Sequence, residues 1–262
     1  NTNVFADMIE EFELDYSFKY PNLYEDEEKT FMNLVRKKYN EKIKKGIIDK
    51  NNPQYKKNIQ EEFKAFKKLG MLSFMTFMSE LATWCWENNI PIGFNRGSVG
   101  GSTIAYILDI TDLDPVKWNT VFSRFVNEDR ISLGDIDMDF SPDDRDKVYE
   151  YIQNRFPKNH TAYIITFNTV ADKGAIDEIG RALKVPLNKV AKIKEEFEID
   201  PDATKKQYPD IFYYFDGIRG TIISKGMHPA GMVASPISLD DNLGILYENE
   251  LPIVQCGMKS VD

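Results

Sequence analysis

The chain has 262 residues, 42% hydrophobic and 13% aromatic, enough apolar material for one large core or two smaller ones. Its 33 Lys and Arg against 42 Asp and Glu give a formal charge of -9, so the overall field repels nucleic acid and any contact with it must use local basic patches. No apolar run reaches membrane-spanning length, the start Asn1-Thr2-Asn3-Val4 lacks the regions of a signal peptide, and the two distant cysteines, Cys85 and Cys256, exclude a disulfide framework or a sulfur-held metal and fit a reducing cytosol.

In chain order, residues 1–24 mix acidic and aromatic side chains around Pro21 and read as a short helix followed by an irregular stretch. Over 25–48, Phe31, Leu34, Val35 and Ile43 recur at helical spacing among Lys and Glu. The basic end of that helix, 36–45, reads as a solvated face, with a phosphate-backbone contact as the alternative. Pro53 interrupts the pattern. A second amphipathic helix is predicted over 55–69, closed by Gly70, and a third over 73–88. The stripe of Phe74, Phe77, Met78, Leu81, Trp84 and Cys85 on the third is core, not a cofactor box.

A short strand over 90–94 feeds Asn95-Arg96-Gly97-Ser98-Val99-Gly100-Gly101-Ser102, and an apolar helix is predicted over 103–110. Strand, glycine-rich turn and helix form the arrangement in which backbone N–H groups and a helix N-terminus hold an anion. Arg96 adds a fork of donors and Ser98 a hydroxyl. The spacing is neither G-x-G-x-x-G nor G-x-x-x-x-G-K-[ST], so dinucleotide and Walker readings are unsupported; taken alone, the glycines also fit close helix packing. Residues 111–115 predict a turn, and 121–125, carrying Arg124, a strand-like or short helical run.

Across Asp135-Ile136-Asp137-Met138-Asp139-Phe140, carboxylates and large apolar side chains alternate without exception. A period of two is a strand period, so the three acids share one face and the apolar residues pack beneath it. Close carboxylates repel by up to ~4 kcal/mol per pair at an intermediate dielectric, so the row needs open water or bound cations. One reading is an edge strand with a solvated acidic face. The other is a pair of magnesium ions ~3.5 to 4 Å apart, the clamp for in-line phosphoryl transfer. An EF-hand fits less well, since its sixth and twelfth positions would be Phe140 and Asp146 instead of Gly and Glu.

Ser141-Pro142-Asp143-Asp144 predicts a helix start, the helix running to about Phe156, with Asp143, Asp144 and Asp146 as capping and surface acids. A buried strand is predicted over 161–167. Helices over 169–184, 186–197, 206–214 and 216–225 follow, with Pro186, Pro201 and Pro209 between them, before strands return over 232–234, 243–247 and 252–255. His160 reads as a turn residue. His228, within 226–231, is placed in a tight turn, making a structural hydrogen bond or, second, touching substrate.

Taken together and in order, R-G-S-V-G-G-S-T-I-A-Y (96–106), I-T-D-L-D-P (110–115), F-S-R-F-V-N-E-D-R-I-S (122–132), D-I-D-M-D-F (135–140) and I-I-T-F-N-T (164–169) resemble the C-family replicative DNA polymerases, the family of bacterial DNA polymerase III alpha subunits and phage relatives. The resemblance runs over almost the whole chain and is strongest over about 70–181. It implies an α+β fold: a polymerase-beta-like nucleotidyltransferase palm with flanking helices and an inserted helical thumb. The palm would take 1–165 and 228–262, and the thumb 166–227.

By the same resemblance, Asp135 and Asp137 hold two Mg2+ ions, and Gly97 and Ser98, with Arg124 and Arg96, grip the incoming triphosphate. Asp139 stands in the motif without being one of the family's essential acids; with Arg130, Lys173 and His228 it is an accessory candidate. The activity implied is template-directed DNA synthesis from dNTP on a primer 3'-hydroxyl. The partners implied are primer-template DNA, the sliding clamp and other replisome subunits, in the cytoplasm and away from the membrane.

The sequence also departs from the family. Phe94 and Asn95 replace Pro and Gly in the usual G-P-G-R-G-S, and Gly134 stands where Pro is usual. The family's third catalytic aspartate lies just downstream of a segment like 254–262. With Asn1 as its first residue, the chain is therefore expected to be a palm and thumb fragment, inactive alone. Two alternatives stay open: a template-independent nucleotidyltransferase, and a non-catalytic nucleotide- or DNA-binding module.

Overall fold

The computed structural model describes residues 8, 20–93, 97–126 and 136–257. The described chain is mixed α+β, and no described helix is long and apolar enough to cross a membrane. It divides into two units: Asn1–Thr161 with Ala234–Ser238, and Ala162–Val233 with Leu239–Asp262.

The first unit is built on three helices. Helix α1, Glu27–Lys44, starts where the Asp26 carboxylate accepts the Lys29 N–H, with Glu27 and Glu28 in the first turn. Helix α2 is Pro53–Lys68. Pro53 opens this helix instead of breaking the chain, because a first helical residue needs no N–H, and the Asn52 side chain caps it through the Gln54 N–H. Gly70, at φ +67°, closes the turn after it. Helix α3, Leu72–Glu87, is the most buried. Its Cys85 is fully enclosed, and burial, with the Asp144 carboxylate nearby, pushes its thiol up to about 11.

Strand β1, Ile92–Gly93, pairs antiparallel with β2, Asp139–Phe140, in the register Ile92 to Phe140 and Gly93 to Asp139. Between them the chain makes a 3-10 turn at Ser98–Gly101, helix α4 at Thr103–Ile107, helix α5 at Pro115–Trp118 and a second 3-10 turn at Phe122–Arg124. Helix α4 is shorter than its apolar run suggests, because the backbone turns left-handed at Asp109, φ +60°. Asp114 caps α5 through the N–H groups of Val116 and Lys117 and accepts the Tyr55 hydroxyl at 2.7 Å. The I-T-D-L-D-P block is thus a joint between α2 and α5. Helix α6, Pro142–Arg155, follows β2, and His160 Nδ1 reaches the Ser235 carbonyl oxygen at 2.9 Å.

The second unit has a sheet and a helical cluster. Strands β3 (Thr161–Thr169), β4 (Ile222–Ala234), β5 (Ile245–Glu248) and β6 (Leu251–Val254) lie in the order β4-β3-β6-β5. Strand β6 runs parallel to β3, with Tyr163 opposite Ile253, and forms a hairpin with β5 across Asn249 and Glu250, both at positive φ. Helices α7 (Asp172–Ala182), α8 (Leu187–Ile199), α9 (Pro201–Gln207) and α10 (Pro209–Ile218) enclose a core that includes Ile176, Ile179, Ile193, Ile211 and Phe215. Helix α11, Leu239–Asn242, places Leu239 under the sheet with Ala162 and Val254.

Three expectations fail in this unit. The helix predicted over 216–225 ends at Ile218, and β4 begins at Ile222. Gly220, at φ +79°, stops the helix, and paired backbone bonds between Val170 and residues 220–221 draw the chain alongside β3. His228 consequently lies within extended β4, not in a tight turn, and its Nδ1 accepts the Ala230 N–H at 3.2 Å. The predicted helix over 206–214 is also divided: Pro201 and Pro209 each open a helix instead of separating two.

Candidate active site

The alternation that singled out the acidic stretch is visible over its described part. Asp137 and Asp139 are exposed, whereas Ile136, Met138 and Phe140 are half-buried against the helical core of the first unit. Asp139 lies opposite Gly93, where an added Cβ would sit 2.9 Å from the Asp139 Cβ. Glycine at 93 therefore lets the two strands close. Further along, Gly97 takes φ 79°, ψ -166°, a region essentially reserved for glycine. A Cβ there would stand 3.6 Å from Asp137 Oδ2. The glycine loop and the acidic stretch thus meet at Gly97 and Asp137, the latter two residues before β2 begins.

The downstream half of the loop is held tightly. A Cβ on Gly101 would come within 2.5 Å of the Val121 carbonyl oxygen, and one on Gly100 within 3.2 Å of Leu113. Thr120 Oγ1 donates to the Gly100 carbonyl at 3.0 Å. These contacts seat the Ser98–Gly101 turn against the Phe122–Arg124 turn. The second turn in turn rests on α2, where fully buried Phe66 meets the rings of Phe122 and Phe125 edge-on. Half-buried Ser98 and exposed Arg124 therefore come from two abutting turns.

The start of α4 is not open to an external anion, which corrects one expectation. Glu62, from α2 and only 2% exposed, already occupies it. Its carboxylate accepts the Ser102 hydroxyl at 2.7 Å, the Thr103 N–H at 2.8 Å and the Ile104 N–H at 2.9 Å. Burial pushes the Glu62 carboxyl above its ordinary range while these donors pull the other way. A phosphate held by this loop must use groups upstream of Ser102. Sequence reasoning passed over Glu62, although one signal was present: it falls on the α2 stripe that buries Tyr55, Ala65 and Phe66, where a carboxylate needs a partner.

Of the other candidates, Asp135, Arg96 and Arg130 lie outside the described residues, as do Phe94, Asn95 and Gly134. Lys173, at the start of α7, pairs with Glu198. Among the described residues no three His, Cys, Asp or Glu side chains are grouped to hold a metal ion. The donors that are described nevertheless suit magnesium: exposed carboxylates, one of them facing the space that Gly97 leaves open. The basic run of α1 is partly internal, because Lys38 and Lys42 reach Asp109 at 2.8 and 2.6 Å.

Comparison with known proteins bears on this arrangement. Residues 30–262 match the family described as the bacterial DNA polymerase III alpha NTPase domain. Curated relatives include the DNA polymerase III subunit alpha of Vibrio cholerae, 31% identical over 232 residues, covering 81% of this chain and 20% of the relative. The Escherichia coli K12 protein of the same name is 30% identical over 233 residues, with 81% and 20% covered. That of Aquifex aeolicus is 33% identical over 192 residues, with 72% and 16% covered. The chain spans about a fifth of the length of the first two relatives.

Proposed function

Because this chain belongs to the bacterial DNA polymerase III alpha NTPase-domain family, we propose that it is the palm and helical thumb of a template-directed DNA polymerase, its palm of the polymerase-beta-like nucleotidyltransferase kind. The observation that carries this reading is the approach of the Asp137 carboxylate to the backbone of Gly97. In it, Asp135 and Asp137 face the triphosphate held by Gly97, Ser98, Arg124 and Arg96. Magnesium bound by the two aspartates would lower the pKa of the primer hydroxyl and neutralise charge on the triphosphate.

The chain's own groups do the positioning. Backbone N–H groups at 97–99 and the Ser98 hydroxyl would donate to phosphate oxygens, and the Arg124 guanidinium would offer its fork of donors. The glycine-only backbone at 97 permits a phosphate to come close to the main chain while keeping it beside Asp137. The segment 166–227, through its helices α7 to α10, would lie along the primer-template duplex, and clamp and replisome partners would engage the full-length parent in the cytoplasm. The isolated chain is proposed to bind nucleotide weakly without incorporating it.

In the full-length parent, Asp137→Ala should cut template-dependent primer extension by about a hundredfold or more while leaving the melting temperature near wild type. Undiminished extension by the folded variant rejects the assignment. Extension by the wild type without a template would instead indicate a template-independent nucleotidyltransferase.

A further inference from the structure

Glu62 has no part in the mechanism above, yet it is the most enclosed carboxylate described near the loop. Neutral donors from the first residues after the glycines surround it, among them the Ser102 hydroxyl and the N–H groups of Thr103 and Ile104. Ser102 Oγ also accepts the Ala105 N–H at 3.0 Å, so the carboxylate, the hydroxyl and the helix start form one bonded unit. A second tether from α2 lies beside it, Asn58 Nδ2 donating to Thr103 Oγ1 at 2.8 Å. Upstream, the loop is fixed by the β1 to β2 register and by the approach of Gly97 to Asp137. The segment between these fixed ends carries three glycines, Gly97, Gly100 and Gly101, whose backbone freedom must be removed by such anchors.

We infer that Glu62 is a positioning residue: by anchoring Ser102, Thr103 and Ile104 it holds the 97–101 loop in register with Asp137, so that nucleotide affinity depends on a buried carboxylate that never touches nucleotide. The inference deepens the polymerase reading and rests on it for the identity of the ligand. An external phosphate does not replace Glu62, because both N–H groups at the head of α4 are already committed to it. Loosening the anchor frees the loop to sample other backbone states, and misplacement of a binding group weakens the interaction it makes.

The test uses the full-length parent carrying Glu62→Gln or, separately, Ser102→Ala, which deletes one hydroxyl and leaves the carboxylate in place. Both variants should raise KM for dNTP about tenfold, change kcat by less than about threefold and leave the Kd for primer-template unchanged. Amide exchange across residues 97–102 should accelerate in the same variants while that of α3 stays as in wild type. If Glu62→Gln does not fold, Ser102→Ala decides. Faster loop exchange with a wild-type KM makes Glu62 structural only and overturns the inference, as does a raised KM with unchanged exchange or no change in either. A wild-type parent that extends no primer sinks the polymerase reading instead, and loop exchange then decides the anchoring role alone.

Discussion

At position 97 backbone and chemistry meet in one residue. An alanine there would have to hold φ 79°, ψ -166°, at a cost of about 1–3 kcal/mol, and its methyl would point at the Asp137 carboxylate from 3.6 Å. Gly97→Ala in the full-length parent should therefore lower the melting temperature modestly and raise KM for dNTP by about tenfold or more, as read from steady-state incorporation. A stability loss without a change in KM would separate the glycine from nucleotide binding. The glycine turn and the alternation of Asp137 and Asp139 with apolar neighbours were readable because special backbone and a period of two leave marks on a sequence. Glu62 was harder to see: its partners are backbone N–H groups, which no sequence distinguishes, so only its place on an apolar stripe betrayed it.

At the scale of elements, the lysines of α1 show how a charge run mixes roles. Lys38 and Lys42 converge on Asp109, and Lys42 also lies over the Tyr106 ring at 4.6 Å. Burial by itself would raise the Asp109 pKa, but the two lysine hydrogen bonds outweigh it and hold the carboxyl below its ordinary value. The stability this contributes is present above the unfolded-state pKa and lost as pH falls through the folded one. Asp109→Asn keeps a residue tolerant of positive φ and removes the charge. Urea denaturation of the two forms should differ by about 1 kcal/mol at neutral pH, with the gap closing in acid; a gap that persists there would locate the effect elsewhere.

The helices of the first unit were legible because packing and propensity agree in them, although Pro53, capped by Asn52, was read as a break and not as the start of α2. The β4 strand was misread for the opposite reason. Its apolar residues Ile222 and Ile223 are exposed, so no burial pattern marked them, and the strand is set by main-chain bonds to residues distant in sequence.

Over the whole molecule, a net charge of -9 coexists with an acidic strand set against a glycine loop, so the global field says little about local chemistry. The two units each carry their own core, one around α1 to α4 and the other around α7 to α10. The change to successive helices after residue 169 had a local signature in the sequence, whereas long-range pairings such as β6 with β3 had none. The cysteines fall one to each unit, and their burial differs: Cys85 is sealed and its thiol raised to about 11, while Cys256 is half-buried. A thiolate is the reactive form, so a maleimide dye added at neutral pH should couple to Cys256 and spare Cys85. Titration with Ellman's reagent should then count one quick sulfhydryl in buffer and a second only once denaturant has opened the first unit, giving this chain a ready-made labelling handle and an internal gauge of its own unfolding.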